Sequence, residues 1–281
     1  MPYTIAADGV RLHYELHDYT DPWKKAPVLI LLHGIARSSR FWYNMAPYLS
    51  RFYKVVCVDL RGSGQSSSDF DLKAGITIQN YISDILRIAD ALGVDNFHYA
   101  GESLGGIIGF VLAAEHPKRV RTLTTFGAPL ALPEWLRKAF ALTYPTWVDA
   151  LRDLGSMGWS KTISPTPAAS QNIDTDLFEW HTDEMGKTKT EVFIAMAELV
   201  PTLNAAPFLK HIQCPVLGVY PPVGPTPPDH LEIMKQEIPN FQLVMINTPP
   251  VLWAQVFAPA TSASHLLHFI STHDGVVARE F

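Results

Sequence analysis

The sequence has few cysteines and few charges, and these shortages limit what the protein can be. Two cysteines in 281 residues, Cys57 and Cys214, exclude a small disulfide-stapled scaffold. Both lie in or beside apolar runs, which predicts buried free thiols in a reducing compartment. Charged residues make up 17% of the chain and the net charge is −5, so no broad basic surface is available for nucleic acid.

Signals for membranes, export and cofactors are also missing. No apolar run approaches the roughly 18 residues of a membrane span. The first residues lack a basic segment followed by an apolar one, so we expect no secretory signal and a cytoplasmic location. There is no Cys/His cluster with metal-ligand spacing, no G-x-G-x-x-G and no Walker motif, which predicts no metal and no cofactor. The oligomeric state stays open.

What the chain does contain is an alternation of apolar strands and helical stripes. Residues Tyr3–Ala6 and Arg11–His17 flank an Asp-Gly turn and predict an opening β-hairpin. Further strands are predicted at Val28–Leu32, Val55–Val58, Phe97–Ala100, Val120–Phe126, Pro215–Tyr220 and Gln242–Ile246. Helices are predicted at Thr77–Leu92, Leu104–Ala114, Pro228–Glu237 and Ala260–Ser271. This order predicts an α/β fold with a doubly wound, mostly parallel sheet.

The alternation breaks in the middle of the chain. From about Leu130 to Phe208 the sequence is helical, rich in proline and carries four tryptophans. We therefore predict a core in two parts, 1–129 and 209–281, with an inserted helical cap at 130–208 over the carboxyl edge of the sheet.

The pentapeptide at residues 101–105 has the pattern G-x-S-x-G. It follows a predicted strand and opens a predicted helix, as a nucleophile elbow requires. Glycines on both sides of Ser103 leave room for a strained turn, and the helix N-terminus favours a developing anion. The pattern therefore predicts that Ser103 is a nucleophile.

A second turn follows the strand Val28–Leu32. His33 and Gly34 occupy it, and His33 is expected to have a structural role there. The next backbone N–H, on Ile35, can form an oxyanion hole together with the N–H of Leu104. Asp59 and Arg61 end the following strand and are expected to brace their own turn through hydrogen bonds.

Three segments in this order, LLHGIARSSRFW, VDLRGSGQSS and YAGESLGG, resemble the α/β-hydrolase superfamily. The resemblance is strong over roughly residues 10–130 and holds by pattern over 210–272. Within the superfamily the chain is similar to the small, capped members that hydrolyse esters, lactones or carbon–carbon bonds. The resemblance implies a serine hydrolase with a catalytic triad.

The other two triad residues are missing where the resemblance implies them. The segment 221–228 after strand Pro215–Tyr220 holds no carboxylate, and Asp229 starts a helix instead. Alignment by the last strand places Val251 at the histidine position. The remaining candidates for an acid or base are Glu102, beside the serine, and His33, His181, Asp183, Glu184, His230, His265 and His268.

An aromatic, apolar pocket is expected near the oxyanion turn. His33, Gly34, Phe41, Trp42 and Val251 are the predicted substrate-binding residues, while the cap tryptophans line the pocket or form the core of the cap. The leading interpretation is an enzyme acting on a small hydrophobic ester, lactone or related carbonyl compound. The alternatives are a non-hydrolytic lyase, isomerase or cyclase, and a catalytically silent ligand-binding relative.

Overall fold

An eight-stranded sheet forms the centre of the computed structural model, which describes residues 2–164, 174–248 and 254–274. The strands are β1 (Tyr3–Ile5), β2 (Arg11–His17), β3 (Val28–Leu32), β4 (Lys54–Val58), β5 (Phe97–Glu102), β6 (Val120–Phe126), β7 (Val216–Tyr220) and β8 (Phe241–Met245). Their order is β1-β2-β4-β3-β5-β6-β7-β8. Only the pairs β1–β2 and β2–β4 are antiparallel, which confirms the predicted fold class.

The helices are α1 (Ala46–Leu49), α2 (Leu72–Gly75), α3 (Ile78–Ala91), α4 (Leu104–Glu115), α5 (Glu134–Ala141), α6 (Trp147–Ile163), α7 (Thr175–Gly186), α8 (Thr190–Leu199), α9 (Pro228–Glu237), α10 (Ala254–Phe257) and α11 (Pro259–Asp274). The N-terminus of α3 is capped by Thr77, whose hydroxyl accepts the N–H of Asn80. The short helices α1, α2 and α10 were not predicted, since four residues carry too little periodicity to identify a helix.

Continuous apolar strands result from burial on both faces of the sheet. In β3, Ile30 and Leu32 belong to one core cluster, while Leu29 and Leu31 belong to the other. The first cluster includes side chains of α3 and α4, and the second includes those of α1 and α11. Both Cys57 and Cys214 are buried and free, as predicted.

Between β6 and β7 the described chain is helical and contains α5–α8. Trp147 and Trp159 pack against each other and against Phe193, so they form an aromatic core within this segment. Trp135 is exposed, whereas Trp180 contacts Phe41 of the sheet domain. The tryptophans thus have three different roles, and the boundaries at 130 and 208 stay a prediction.

The turn after β4 is held by two buried charged residues, as the sequence predicted. Asp59 accepts hydrogen bonds from His13 Nδ1 at 2.7 Å, Ser39 N at 2.6 Å and Gln65 N at 2.8 Å. Arg61 binds both carboxylate oxygens of Asp84, at 2.6 and 2.7 Å. The turn is therefore fixed to α3 by a buried ion pair.

The described residues contain neither a membrane-spanning helix nor a group of metal ligands. None of the described helices is both long and apolar enough to cross a membrane. Among the same residues, no three His, Cys, Asp or Glu side chains are grouped so that they could hold a metal ion.

Replacing Arg61 tests the buried ion pair. Burial raises the pKa of Asp84 and Arg61 opposes that rise, so Arg61→Met leaves a buried carboxyl without its counter-charge. We expect the free energy of unfolding in urea to fall by about 3 kcal/mol. The control is Arg137→Met, which breaks an exposed ion pair with Glu134 and should change the free energy of unfolding little. Equal effects of the two variants would contradict the structural role of Arg61.

Candidate active site

Ser103 stands on a strained turn between β5 and α4. Its φ of 50° and ψ of −115° lie outside the regions that a non-glycine residue ordinarily occupies. The turn is also closely packed, because a Cβ on Gly101 would lie 2.3 Å from the Gly105 carbonyl oxygen. One on Gly105 would lie 2.4 Å from the Leu32 carbonyl oxygen. Glycine is thus required on both sides of the serine, which is the strand–turn–helix context expected for G-x-S-x-G.

Two backbone N–H groups near this serine have no acceptor among the described residues. They belong to Ile35, in the turn after β3, and to Leu104, the first residue of α4. Ile35 lines the same cavity as Ser103. An anion that develops on a carbonyl oxygen beside Ser103 can accept both groups. The oxyanion role predicted for Ile35 and Leu104 fits this arrangement and stays a prediction.

Glu102 is a buried carboxylate that joins the two turns. Its Oε2 accepts the Gly34 N–H at 2.9 Å, and Arg37 Nη1 contacts Oε1 at 2.6 Å and Oε2 at 2.5 Å. Burial raises the pKa of Glu102 above its ordinary 4.5, although Arg37 and the Gly34 N–H both act against that rise. The position of a Cβ on Gly34 lies 2.4 Å from Glu102 Oε2 and 2.9 Å from Ser103 Cβ. The carboxylate therefore lies within a few ångströms of the serine.

A cavity of about 150 Å³ opens at Ser103. Its polar described side chains are Arg37, Glu102, Ser103, Ser164 and Gln255. The remaining side chains are apolar and come from the sheet edge and from α5, α6 and α7; they include Leu136, Phe140, Trp159, Ile163, Phe178 and Met185. The site is thus a small apolar chamber between the sheet and the helices that follow β6.

His33 is held in the turn rather than in the cavity wall. Its Nε2 accepts the Leu60 N–H at 3.1 Å, so the ring proton is on Nδ1, which donates to the Gly34 carbonyl at 2.7 Å. Burial lowers the pKa of His33 to about 4. Both ring nitrogens are engaged, which agrees with the structural role expected of this residue and leaves neither one for substrate.

The aromatic residues predicted for substrate binding lie behind the cavity wall. Phe41 is buried under the guanidinium of Arg37 and contacts the ring of His181. Trp42 is buried in the second core cluster, where its ring packs edge-on against Phe126. Neither side chain lines the cavity, because both turn into protein cores. Gly34 contributes its N–H to Glu102, and Val251 lies outside the described residues.

The histidines do not supply a base in the cavity wall. All eleven lie in the described part of the chain, and none of them lines the cavity. His230 Nδ1 accepts the Leu130 N–H at 3.1 Å, while His265 and His268 are exposed on α11. His181 is buried beside Phe41, and burial together with the charge of Arg37 lowers its pKa well below 6.5.

The sequence did not identify Arg37 or Gln255 as site residues. A signal for Arg37 exists: a buried Glu102 needs a cation, and Arg37 lies two residues after the expected oxyanion donor Ile35. No comparable signal exists for Gln255, because its placement depends on how α10 packs after β8.

Buried, neutral His33 has a consequence for stability at low pH. Its folded-state pKa of about 4 lies below the unfolded value near 6.5, so the unfolded chain binds the proton first as pH falls. This difference should cost roughly 2 kcal/mol of unfolding free energy between pH 7 and pH 5. In urea titrations of His33→Asn, we expect the unfolding free energy to lose this decrease between pH 7 and pH 5. The exposed-residue control His265→Asn should retain it, and an identical pH dependence in both variants would contradict the assignment.

Known proteins share this architecture. A model of the alpha/beta hydrolase fold family matches residues 27–164. The putative carbamate hydrolase RutD of Agrobacterium fabrum is 32% identical over 117 residues, which are 42% of this chain and 43% of that protein. The strigolactone esterase of Arabidopsis thaliana is 33% identical over 171 residues, or 56% and 62% of the two chains. The chain spans about half the length of the curated relatives it matches.

The fold extends over nearly the whole chain in solved structures. The enol-lactonase from Burkholderia xenovorans superposes with a TM-score of 0.82 at 19% identity, covering 96% of this chain and 100% of that one. At this identity the likeness concerns the fold. Together with the matched family model and the turn that carries Ser103, it shows that the chain has the α/β-hydrolase fold.

Proposed function

We propose that the protein is a serine hydrolase that acts on small hydrophobic esters or lactones. The observation that carries the proposal is Ser103 on its strained turn, at the wall of an apolar cavity and beside two N–H groups without acceptors. The names of the relatives agree with this substrate class: a strigolactone esterase, an enol-lactonase and a putative carbamate hydrolase. All of these names describe cleavage at an acyl carbon.

Glu102 is the group we assign as the base. It is the one carboxylate in the described cavity wall, and no histidine lines that wall. The two internal segments that fall outside the described residues, 165–173 and 249–253, contain no ionisable side chain. A pKa raised by burial also suits a carboxylate to proton transfer.

The reaction then follows from the positions of these groups. Ser103 Oγ attacks the acyl carbon while its proton passes to Glu102, and the N–H groups of Ile35 and Leu104 stabilise the oxyanion. The carbon–oxygen bond of the ester breaks, the leaving oxygen takes up the proton, and water then hydrolyses the acyl-serine. Arg37 holds the Glu102 carboxylate in place.

A non-hydrolytic reaction is the second candidate. The cavity wall without a histidine favours it, because an oxyanion hole and one carboxylate are enough to move a proton next to a carbonyl group. Turnover in ¹⁸O-labelled water distinguishes the two: hydrolysis incorporates solvent oxygen into the acid product, whereas a lyase or isomerase does not. Saturable binding without any product would indicate the silent ligand-binding alternative.

The remaining predictions belong to the same proposal. Residues 130–208 form the cap, and its helices supply the apolar side of the cavity. The substrate is a small molecule rather than a nucleic acid. A cytoplasmic location is supported by the two buried, free cysteines, Cys57 and Cys214.

Labelling with a fluorophosphonate tests whether Ser103 is activated. We expect rapid addition of a single label, measured by intact mass, and its complete loss in Ser103→Ala. The control is Ser164→Ala, because Ser164 is the other serine in the cavity wall and should not affect labelling. No labelling of the unaltered protein over hours would rule out Ser103 as a working nucleophile.

The pH dependence of kcat/KM tests Glu102 as the base. A base must be ionised, so the rate should fall as pH decreases through the pKa of Glu102, which lies above 4.5. We expect Glu102→Gln to lower kcat by about 100-fold or more and to remove this acid limb. Arg37→Met removes the cation that lowers this pKa, so the limb should move to higher pH. A limb that is unchanged in both variants would assign the titration to another group.

A further inference from the structure

Gln255 is a buried polar residue whose side-chain amide forms no hydrogen bond with the side chains or backbone of the described residues. It lies in α10, its side chain lines the cavity, and the residue is only 2% exposed. Its Oε1 is buried without a hydrogen-bond partner, and its Nε2 donates to none of the described residues. A buried amide in this state is costly by comparison with an apolar side chain of the same shape. Packing alone therefore does not explain a glutamine here.

The other polar side chains in the described wall are already engaged. Arg37 and Glu102 bind each other, and the Ser164 hydroxyl accepts a hydrogen bond from Thr182 at 3.1 Å. The Trp159 indole N–H donates to the Phe140 carbonyl at 2.8 Å. Among the side chains of the described wall, apart from the reacting serine, the Gln255 amide is the polar group without a hydrogen-bond partner.

The backbone that carries Gln255 is fixed. The Asn44 side chain donates to the Val256 carbonyl at 3.1 Å, and the Ala258 N–H donates to the Ala254 carbonyl at 2.8 Å. Ala254 is itself buried in the second core cluster. The backbone on both sides of Gln255 is thus anchored, and burial of the residue restricts its side chain, as a recognition group requires.

We propose that Gln255 determines substrate specificity by hydrogen-bonding the acyl part of the substrate. The preferred substrates then carry an acceptor oxygen in the acyl chain beyond the scissile carbonyl, to which the Gln255 Nε2 donates, instead of a plain hydrocarbon chain. The proposal depends on the proposed function only in placing the acyl carbon at Ser103. Discrimination of this kind is strong where a buried polar group would otherwise lose its partner.

Two esters of nearly equal shape test the proposal. Ethyl methoxyacetate and ethyl butyrate differ by one ether oxygen in place of a methylene, and both can be followed in a pH-stat. Their ratio of kcat/KM is measured in the unaltered protein and in Gln255→Met. Intrinsic reactivity cancels between the two proteins, so a change in the ratio reports the Gln255 contact alone.

We expect the preference for the methoxyacetate to fall roughly 10-fold or more in Gln255→Met. Gln236→Met, on the exposed surface of α9, is the matched control and should leave the ratio unchanged. Fluorophosphonate labelling of Ser103 confirms that the site of the Gln255→Met variant is intact. If Gln255→Met does not fold, Gln255→Leu is used in its place. A ratio that is the same in the Gln255 and Gln236 variants overturns the proposal.

Binding separates this proposal from the proposed function. N-ethyl-2-methoxyacetamide and N-ethylbutanamide resist hydrolysis, and their affinities can be compared by calorimetry in the same three proteins. A preference for the methoxy compound that disappears only in Gln255→Met supports the recognition role of Gln255. If neither ester is hydrolysed, the recognition role still stands and the proposed hydrolase function is contradicted. Hydrolysis of both esters with no preference in either assay overturns the recognition role and leaves the hydrolase standing.

Discussion

The contact of Glu102 with Gly34 and Arg37 is the interaction on which the candidate site depends. Glu102 ends β5, directly before the turn of Ser103, while Gly34 and Arg37 belong to the turn after β3. Among the described side-chain hydrogen bonds, those of Glu102 are the ones that join the turn of Ile35 directly to the strand end that carries the serine. The same carboxylate is the one we assign as base, so position and chemistry depend on one side chain.

Burying the Glu102 carboxylate is unfavourable, and the residues around it offset this unfavourable free energy. A buried carboxylate loses its hydration, and a single cation in contact with both oxygens compensates much of that loss. The cation is itself covered by the ring of Phe41. Phe41 therefore supports the site from behind, which explains why an aromatic residue follows the oxyanion turn without reaching the cavity.

The fold was predictable from the sequence because its signals are local. The run VLILL predicts a strand buried on both faces, and G-x-S-x-G between a strand and a helix predicts the turn at Ser103. The cavity wall was less predictable. Trp42 and Phe41 are close to the turn along the chain, but the faces on which they lie depend on packing. Gln255 follows β8 by ten residues, and only the tertiary structure brings it to Ser103.

The charge of the described cavity wall also affects what happens after the reaction. Arg37 and Glu102 are its only ionisable groups, and each neutralises the other. The proposed hydrolysis of a neutral ester creates a carboxylate inside a described wall whose one cation is already paired with Glu102. The newly formed anion gains more from water than from the chamber. For the proposed hydrolysis, this charge balance favours rapid departure of the acid and weak inhibition by accumulated product.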